Sequence, residues 1–410
     1  MNEVIADQPV SDQTSAGMPS RPTPFQTDQV VTFAGGHFVH DTYTAFLAPL
    51  LPLLQSNLGI TYAAAGSLVV FMQLPSLLNP FIGYMADRIS LRYFIILAPA
   101  ITATLMSSMG LASTYAVLAI LLFAAGISVA AFHAPAPAMI GRVAGLRVGT
   151  GMSIFMASGE LARTVGPIVA IAGVGWFGLD GMWCLAVVGW LTSVVLYFRL
   201  RHISARPASQ RHDSLADIWP TARRVFPAMT WLMSGRVFMM AALTTYLAIF
   251  VKDELGGSLW LAAISLTLLE AAGVVGALLS GTLSDRFGRS RVLFVLLGLA
   301  PILMLFFLYG PGWLTALTLI GLGLTAISPQ PVLLALVQDE FPNHRALANG
   351  TFLALSFLMR AFGIWVIGMV ADQYGLSNAF LLACLTAFLS LPAVFFLPKR
   401  KTAIRTEKEW

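Results

Sequence analysis

Charge is scarce in this 410-residue chain: Asp, Glu, Lys and Arg make up 10% of it, against about a quarter in a soluble domain. With 57% apolar residues and a mean hydropathy of +0.79, too little polar surface remains to coat a water-soluble fold. Cysteine is scarcer still. Cys184 and Cys384 are the two present, both in apolar stretches, which excludes a disulfide framework. Two-residue alternation is missing, so a barrel of short spanning strands is excluded. No G-x-x-x-x-G-K-S/T run and no soluble domain interrupts the apolar segments, which argues against a nucleotide-driven pump. The first 27 residues lack a basic start and an apolar run. They read as a disordered cytoplasmic tail and not as a secretory signal.

What is present is long apolar runs. A membrane-spanning helix uses about 20 mostly apolar residues, so about twelve helices would consume the apolar supply. Twelve segments are expected near 31–54, 61–85, 93–111, 114–140, 151–176, 181–200, 228–251, 259–283, 292–310, 313–337, 348–371 and 376–398. Helices satisfy their own backbone in lipid, and runs of this length leave little alternative. The expected fold class is an all-α polytopic membrane protein. Its organisation is a tail (1–27), a six-helix bundle (28–200), a cytoplasmic linker (201–227), a second six-helix bundle (228–398) and a tail (399–410).

The bases give the orientation. Of 24 Lys and Arg, 20 fall in the tails and the even-numbered loops; Arg163, Arg236 and Arg360 lie inside spans, and Lys252 follows the seventh. By the positive-inside rule both termini are cytoplasmic. The net charge of +5 is then a topology signal and calls for no nucleic acid.

The halves repeat. Gly83-Tyr84-Met85-Ala86-Asp87-Arg88 follows the second span, and Gly281-Thr282-Leu283-Ser284-Asp285-Arg286-Phe287-Gly288-Arg289 follows the eighth, 198 residues on. Arg163 to Gly166 matches Arg360 to Gly363, and Gly178-Leu179 matches Gly375-Leu376, both at 197.

This duplicated unit with its G-x-x-x-D-R-x-G-R loop resembles the major facilitator superfamily, over nearly the whole chain. The second copy of the motif is complete; the first has Ser90 where the superfamily has glycine. The resemblance implies two pseudo-symmetric bundles that rock about a central cavity. It also implies a cytoplasmic gate in which Gly83 and Gly281 allow close helix approach and Asp87, Arg88, Asp285 and Arg286 form a charge lock. The blander alternative is that these charges only mark topology. A narrower resemblance, in Gly36-His37-Phe38-Val39-His40-Asp41, Ala131-Phe132-His133 and Ser153-Ile154-Phe155 running to Gly166-Pro167, is to the fosmidomycin-resistance branch, whose members are drug exporters. The branch's Phe-His-Pro-Glu run reads Phe132-His133-Ala134-Pro135 here, without the acid.

The spans hold Asp41, Glu160 and Glu270 with Arg163, Arg236 and Arg360. A charge at the bilayer centre costs about 2.5–3.5 kcal/mol or more, so such residues face a cavity or a partner. His37 and Asp41 share one helix face, as do Glu160 and Arg163. His37 aligns with Arg236 at an offset of 199, and His133 with Gln330 at 197. Guanidiniums grip anions bidentately, so Arg163, Arg236 and Arg360, with His37, His133 and Gln330, are the expected substrate-binding set. The alternative is that each Arg is a structural partner of an acid. Asp41 first and Glu160 second are the expected proton-coupling residues, because burial brings a carboxylate toward neutral titration; Glu270 reads as a structural pair. Prolines interrupt spans one, two, four and ten.

The leading expectation is a secondary active transporter working by alternating access, exporting a small anionic or amphiphilic compound against protons from a plasma-type membrane. It would act as a monomer and without a cofactor; the direction comes from the branch resemblance. The alternatives are an exporter of a metal, metalloid or chelate through the His/Asp set, with no resident metal expected, and a polytopic membrane enzyme.

Overall fold

The computed structural model describes residues 24–79, 81, 82, 85, 89–203, 215–341 and 345–398. Among these residues there is helix and no strand. The first half runs α1 (Thr27–Thr44) and α2 (Leu47–Leu58), α3 (Tyr62–Gln73), α4 (Arg92–Ser107), α5 (Tyr115–His133) and α6 (Ala136–Ala144), α7 (Val148–Gly181) and α8 (Ala186–Leu200). The second runs α9 (Leu215–Ala241) and α10 (Leu247–Asp253), α11 (Leu259–Phe287), α12 (Arg289–Tyr309), α13 (Thr315–Leu322) and α14 (Pro329–Glu340), α15 (Arg345–Tyr374) and α16 (Leu376–Ser390). Each half therefore makes six passes. Nine stretches among the described residues are long and apolar enough to cross a membrane, and one of them, Thr150–Leu200, carries two passes. The remaining two passes are the broken first span and the short Tyr62–Leu78 helix. Side chains such as Ile120, Leu278 and Leu389 are 69–72% exposed, as suits a surface facing lipid.

The breaks fall where proline predicts them. The first span parts at Ala45-Phe46. Pro49 has no N–H to give the Ala45 carbonyl, and its ring would collide with it. The matching stretch of the seventh span, 199 residues on, has no such proline and makes a π turn over Ala242–Tyr246. The second span tightens into a 3-10 turn over Leu74–Leu78, with Pro75 at its start. The fourth breaks around Ala134-Pro135, and the tenth carries a π turn over Gly323–Ile327 just before Pro329. One boundary differs from expectation. The helix entering the seventh span starts at Leu215, inside the stretch read as linker, because Ile218, Ala222 and Val225 form an apolar stripe that the second half buries.

Glycines show the repeat in three dimensions. A Cβ on Gly126 would lie 2.1 Å from the Met72 carbonyl oxygen, and one on Gly323 would lie 2.3 Å from that of Leu269. Both members of the pair are shifted by 197 residues, so span four touches span two as span ten touches span eight. Gly178 and Gly375, also 197 apart, turn their helices with φ of 72° and 86°, a region open to glycine.

The core shows how the halves meet. One apolar cluster runs through both, from Phe46, Leu50 and Leu68 to Tyr246, Leu266 and Ile367, toward the odd-numbered loops. Toward the even-numbered loops it divides. Phe33, Ile95, Phe132 and Leu196 pack within the first half, and Val225, Leu293, Val337 and Phe352 within the second. The bundles are thus joined at one membrane face and packed separately at the other. Polar contacts seal the joined face. Asp372, near the end of α15, accepts hydrogen bonds from the backbone N–H of Tyr62 (2.6 Å) and Ala63 (3.0 Å) at the start of α3, where the helix leaves those donors free. The Tyr246 hydroxyl, seated over Gly66, donates to the Ile364 carbonyl at 2.9 Å, with that of Tyr62 at 3.2 Å. Tyr62 in turn donates to Asp253 at 3.2 Å.

Two outcomes follow. Gly126→Ala and Gly323→Ala each force two backbones apart and should each cost about 1–3 kcal/mol, lowering the unfolding midpoint in detergent to a similar extent. Asp372→Asn removes a charge from a helix start and should weaken the seal by about 1–3 kcal/mol. Spin labels at Asn57 and Leu255 should then report a larger share of long distances by electron double resonance, and an unchanged distribution would show that the seal does not depend on this carboxylate.

Candidate functional site

Two polar constellations face the space between the bundles. The first belongs to the first half alone. Asp41 on α1 lies 3.1 Å from His37 Nε2 one turn earlier and 3.1 Å from Nε2 of His133 at the end of α5. His40 Nε2 is 3.9 Å from the same carboxylate. His37, His40 and Asp41 are buried, while the His133 side chain is 34% exposed and forms the open edge. Aromatic faces hold the rings. His37 stacks on Phe155 of α7 with centroids 3.9 Å apart and planes 13° apart, and His40 stacks on Phe132 at 4.3 Å. Gly159 of α7 makes the back wall; a Cβ there would stand 2.6 Å from His37 Cε1 and 3.2 Å from Asp41.

The hydrogen-bond network sets the His37 tautomer. Its Nδ1 lies 2.8 Å from the Phe155 carbonyl oxygen, which only accepts. The Ser158 hydroxyl is 3.2 Å from Nδ1 and donates to that same oxygen at 2.7 Å. Nδ1 must therefore carry the hydrogen. In the neutral ring, Nε2 then turns its lone pair on Asp41.

The second constellation joins the halves. Arg163 on α7 pairs with Glu160 one turn earlier and reaches Glu270 of α11, 3.9 Å from its Nε. Alongside, the Thr267 hydroxyl donates to the Thr164 carbonyl at 2.8 Å. The Arg163 and Glu160 side chains are 43% and 28% exposed and so open to the space between the bundles. Glu270 is close enough to feel Arg360 as well as Arg163. Arg360 on α15 donates to Thr244 Oγ1 at 3.0 Å, and its Nε has no hydrogen-bond partner. Four guanidinium and carboxylate groups of opposite halves thus share one layer of the molecule.

The sequence-predicted residues divide accordingly. His37, Asp41 and His133 come together as expected, and so do Glu160 and Arg163. Glu270, read as a structural pair, is the acid that crosses the interface. Arg236 occupies the second half's counterpart of the His37 position. It lines a small cleft with Met239, Leu297, Ala326 and Ser390, its Nη2 3.5 Å from the Ile327 carbonyl and its Nε unpartnered. Gln330 sits half-buried at the start of α14. At the counterparts of His40 and Asp41 the second half has Met239 and Met240, so the two halves differ in kind there: imidazole and carboxylate in the first, and in the second a guanidinium enclosed among that half's own helices. Ser158, Gly159 and Thr244 were not singled out from the sequence, and Phe155 entered only through the branch resemblance, with no role at the His37 ring. Of these, Ser158 and Gly159 carried a signal in hindsight, since they sit on the helix face of Phe155 and Arg163.

Of the gate motif, Gly83, Asp87 and Arg88 lie outside the described residues. In the second copy, Asp285 Oδ1 pairs with Arg289 Nη1 at 2.8 Å, and Arg289 also reaches Asp339 at 3.2 Å, within the same half. Arg286 is exposed over the Phe287 ring. Gly288 turns with φ of 95°; Ser90, its counterpart, does not, since no described non-glycine residue has positive φ. Among the described residues nothing lies within 4 Å of a Cβ placed on Gly281, so the close helix approach expected there is not made among them.

Comparison with known proteins agrees with this architecture. The model of the Major Facilitator Superfamily matches residues 33–364. The Fosmidomycin resistance protein of Escherichia coli (strain K12) is 26% identical over 374 residues, covering 89% of this chain and 91% of that protein. The Uncharacterized MFS-type transporter YfnC of Bacillus subtilis (strain 168) is 24% identical, covering 88% and 90%. Among solved structures, a bacterial homolog to the human lysosomal transporter Spinster, in an inward-facing and occupied conformation, superposes with a TM-score of 0.78 at 16% identity, covering 91% of this chain and 97% of that one. The nucleoside transporter NupG superposes with a TM-score of 0.73 at 17% identity, covering 90% and 98%. With twelve spans in two repeated bundles and a family match over most of its length, this chain is an integral membrane transporter of the Major Facilitator Superfamily.

Proposed function

Within that family, we propose that the chain exports a small anionic or amphiphilic compound in exchange for protons, from a plasma membrane with both termini in the cytoplasm. The observation that carries this reading is Arg163, an accessible guanidinium shared between an acid of its own half, Glu160, and an acid of the other, Glu270. Arg360, from the opposite half, holds Thr244 and keeps a guanidinium nitrogen without a protein partner. An anion entering from the separately packed face competes with both acids for Arg163 and meets Arg360 across the cavity. Its charge draws the bundles together, as a bidentate grip from both halves would. Export is supported by the similarity to a protein named for fosmidomycin resistance.

Protons enter through the same competition. On the outward-open form, a proton on Glu160 releases Arg163 to Glu270. The pair then ties α7 to α11 and excludes the anion while the bundles return. Inside, Glu160 gives up its proton and recovers Arg163. Proton and substrate thus use one guanidinium at different stages, which makes the movement an exchange. Asp41, placed first from the sequence, takes second place here because it is enclosed by His37, His40 and His133 and does not bridge the halves.

Proteoliposomes under an imposed pH gradient test the scheme with a panel of labelled phosphonates, carboxylates and organic cations. Anions should accumulate on the side from which protons leave. Arg360→Lys should weaken anion binding about 10- to 100-fold, the worth of a charged bidentate contact. Glu160→Gln, which mimics the protonated acid, leaves Arg163 to Glu270 and should therefore bind the anion more weakly and lose its response to the gradient. Retained gradient-driven transport in Glu160→Gln would remove Glu160 from the scheme, and transport of the cations alone would remove the anion.

A further inference from the structure

We propose that His37, Asp41 and His133 form a binding site for one divalent cation of the Zn2+, Co2+ and Ni2+ class. The site goes beyond the transport cycle and stands whether or not protons drive it. Its donors are already assembled. One atom from each of the three side chains lies within 4.8 Å of the others. Asp41 Oδ2 is 3.1 Å from His37 Nε2, and Oδ1 is 3.1 Å from His133 Nε2. Ligands held about 2.0 Å from a tetrahedral Zn2+ stand about 3.3 Å apart, so little movement is needed to close around an ion.

The tautomer argument makes the site specific. The Phe155 carbonyl takes the hydrogen of His37 Nδ1, leaving Nε2 as the free donor facing a carboxylate. That outer hydrogen bond is what orients a metal-binding imidazole. His37 Nε2 has no hydrogen-bond partner of good geometry, and neither has the buried Nε2 of His40. Buried polar atoms are normally satisfied. A His37 lone pair aimed at a carboxylate, walled by Phe132, Phe155 and Gly159, is explained by a cation between them. Imidazole nitrogens with one carboxylate suit borderline ions, whereas Mg2+ and Ca2+ prefer all-oxygen shells. His133, at the exposed edge, gives the ion its entry.

Titration of the tag-free, full-length protein in detergent with ZnCl2, by calorimetry, should show one ion per chain. CoCl2 should give the visible absorption of a tetrahedral nitrogen and oxygen site, and MgCl2 should give neither. His37→Ala and His133→Ala should each weaken Zn2+ binding more than about tenfold, and His202→Ala, on the exposed end after α8, should not. Gly159→Ala should weaken it by pushing against the His37 ring. Because a buried substitution can unfold the bundle, His133→Gln serves as the gentle variant. It should keep the unfolding midpoint and lose the rise in midpoint that Zn2+ gives the wild type by linkage. Absence of saturable Zn2+ binding below about 100 μM, or wild-type affinity in both His37→Ala and His133→Gln, would overturn the site.

Discussion

A charged side chain in hydrocarbon must find a partner or a cavity, because lipid offers neither water nor a hydrogen bond. The arrangement of this transporter follows from that constraint. Asp41, Glu160, Arg163, Arg236, Glu270 and Arg360 lie within its spans, and each finds a partner there. Asp41 is wrapped by imidazoles. Arg163 is shared between Glu160 and Glu270. Arg360 leans on Thr244, and Arg236 on a carbonyl released where the tenth span is irregular. Glu160, Arg163 and Glu270 meet between the bundles, whereas Arg236 is enclosed within the second.

The same economy shapes the contacts between halves. On the odd-loop side, Asp372 meets the unpaired N–H groups at the start of α3, and Tyr246 fills the space that Gly66 leaves. A carboxylate and a hydroxyl thus settle backbone groups of the opposite bundle. On the even-loop side each bundle keeps its own apolar core. The polar contacts of the joined side sit on an apolar cluster that both halves share, so opening that side has to part the cluster as well as the hydrogen bonds.

Gene duplication, as the sequence records it, preserved backbone and released chemistry. Gly126 and Gly323 still press on equivalent carbonyls, and Gly178 and Gly375 still turn with positive φ. At those positions a side chain would collide or strain the chain, so glycine persisted in both copies. The polar positions had no such restraint. His37, His40 and Asp41 face Arg236, Met239 and Met240 as their counterparts, and the π turn at Ala242–Tyr246 replaces the break that Pro49 imposes in the first half. One scaffold thereby carries imidazole and carboxylate in its first half and a guanidinium enclosed within its second.

By itself the sequence determined the twelve spans, their orientation signal, the twofold repeat, the proline breaks and the pairs that lie one turn apart, His37 with Asp41 and Glu160 with Arg163. These are local or periodic properties, and hydrophobicity and helix geometry dictate them. The tertiary structure alone decided the rest. It brought His133 to Asp41 across 92 residues and Glu270 to Arg163 across 107. It set Gly159 behind the His37 ring and placed Asp372 on a helix start 310 residues away. Such contacts depend on how helices rotate and cross, and a helix can turn its face by a few tens of degrees without changing any local pattern.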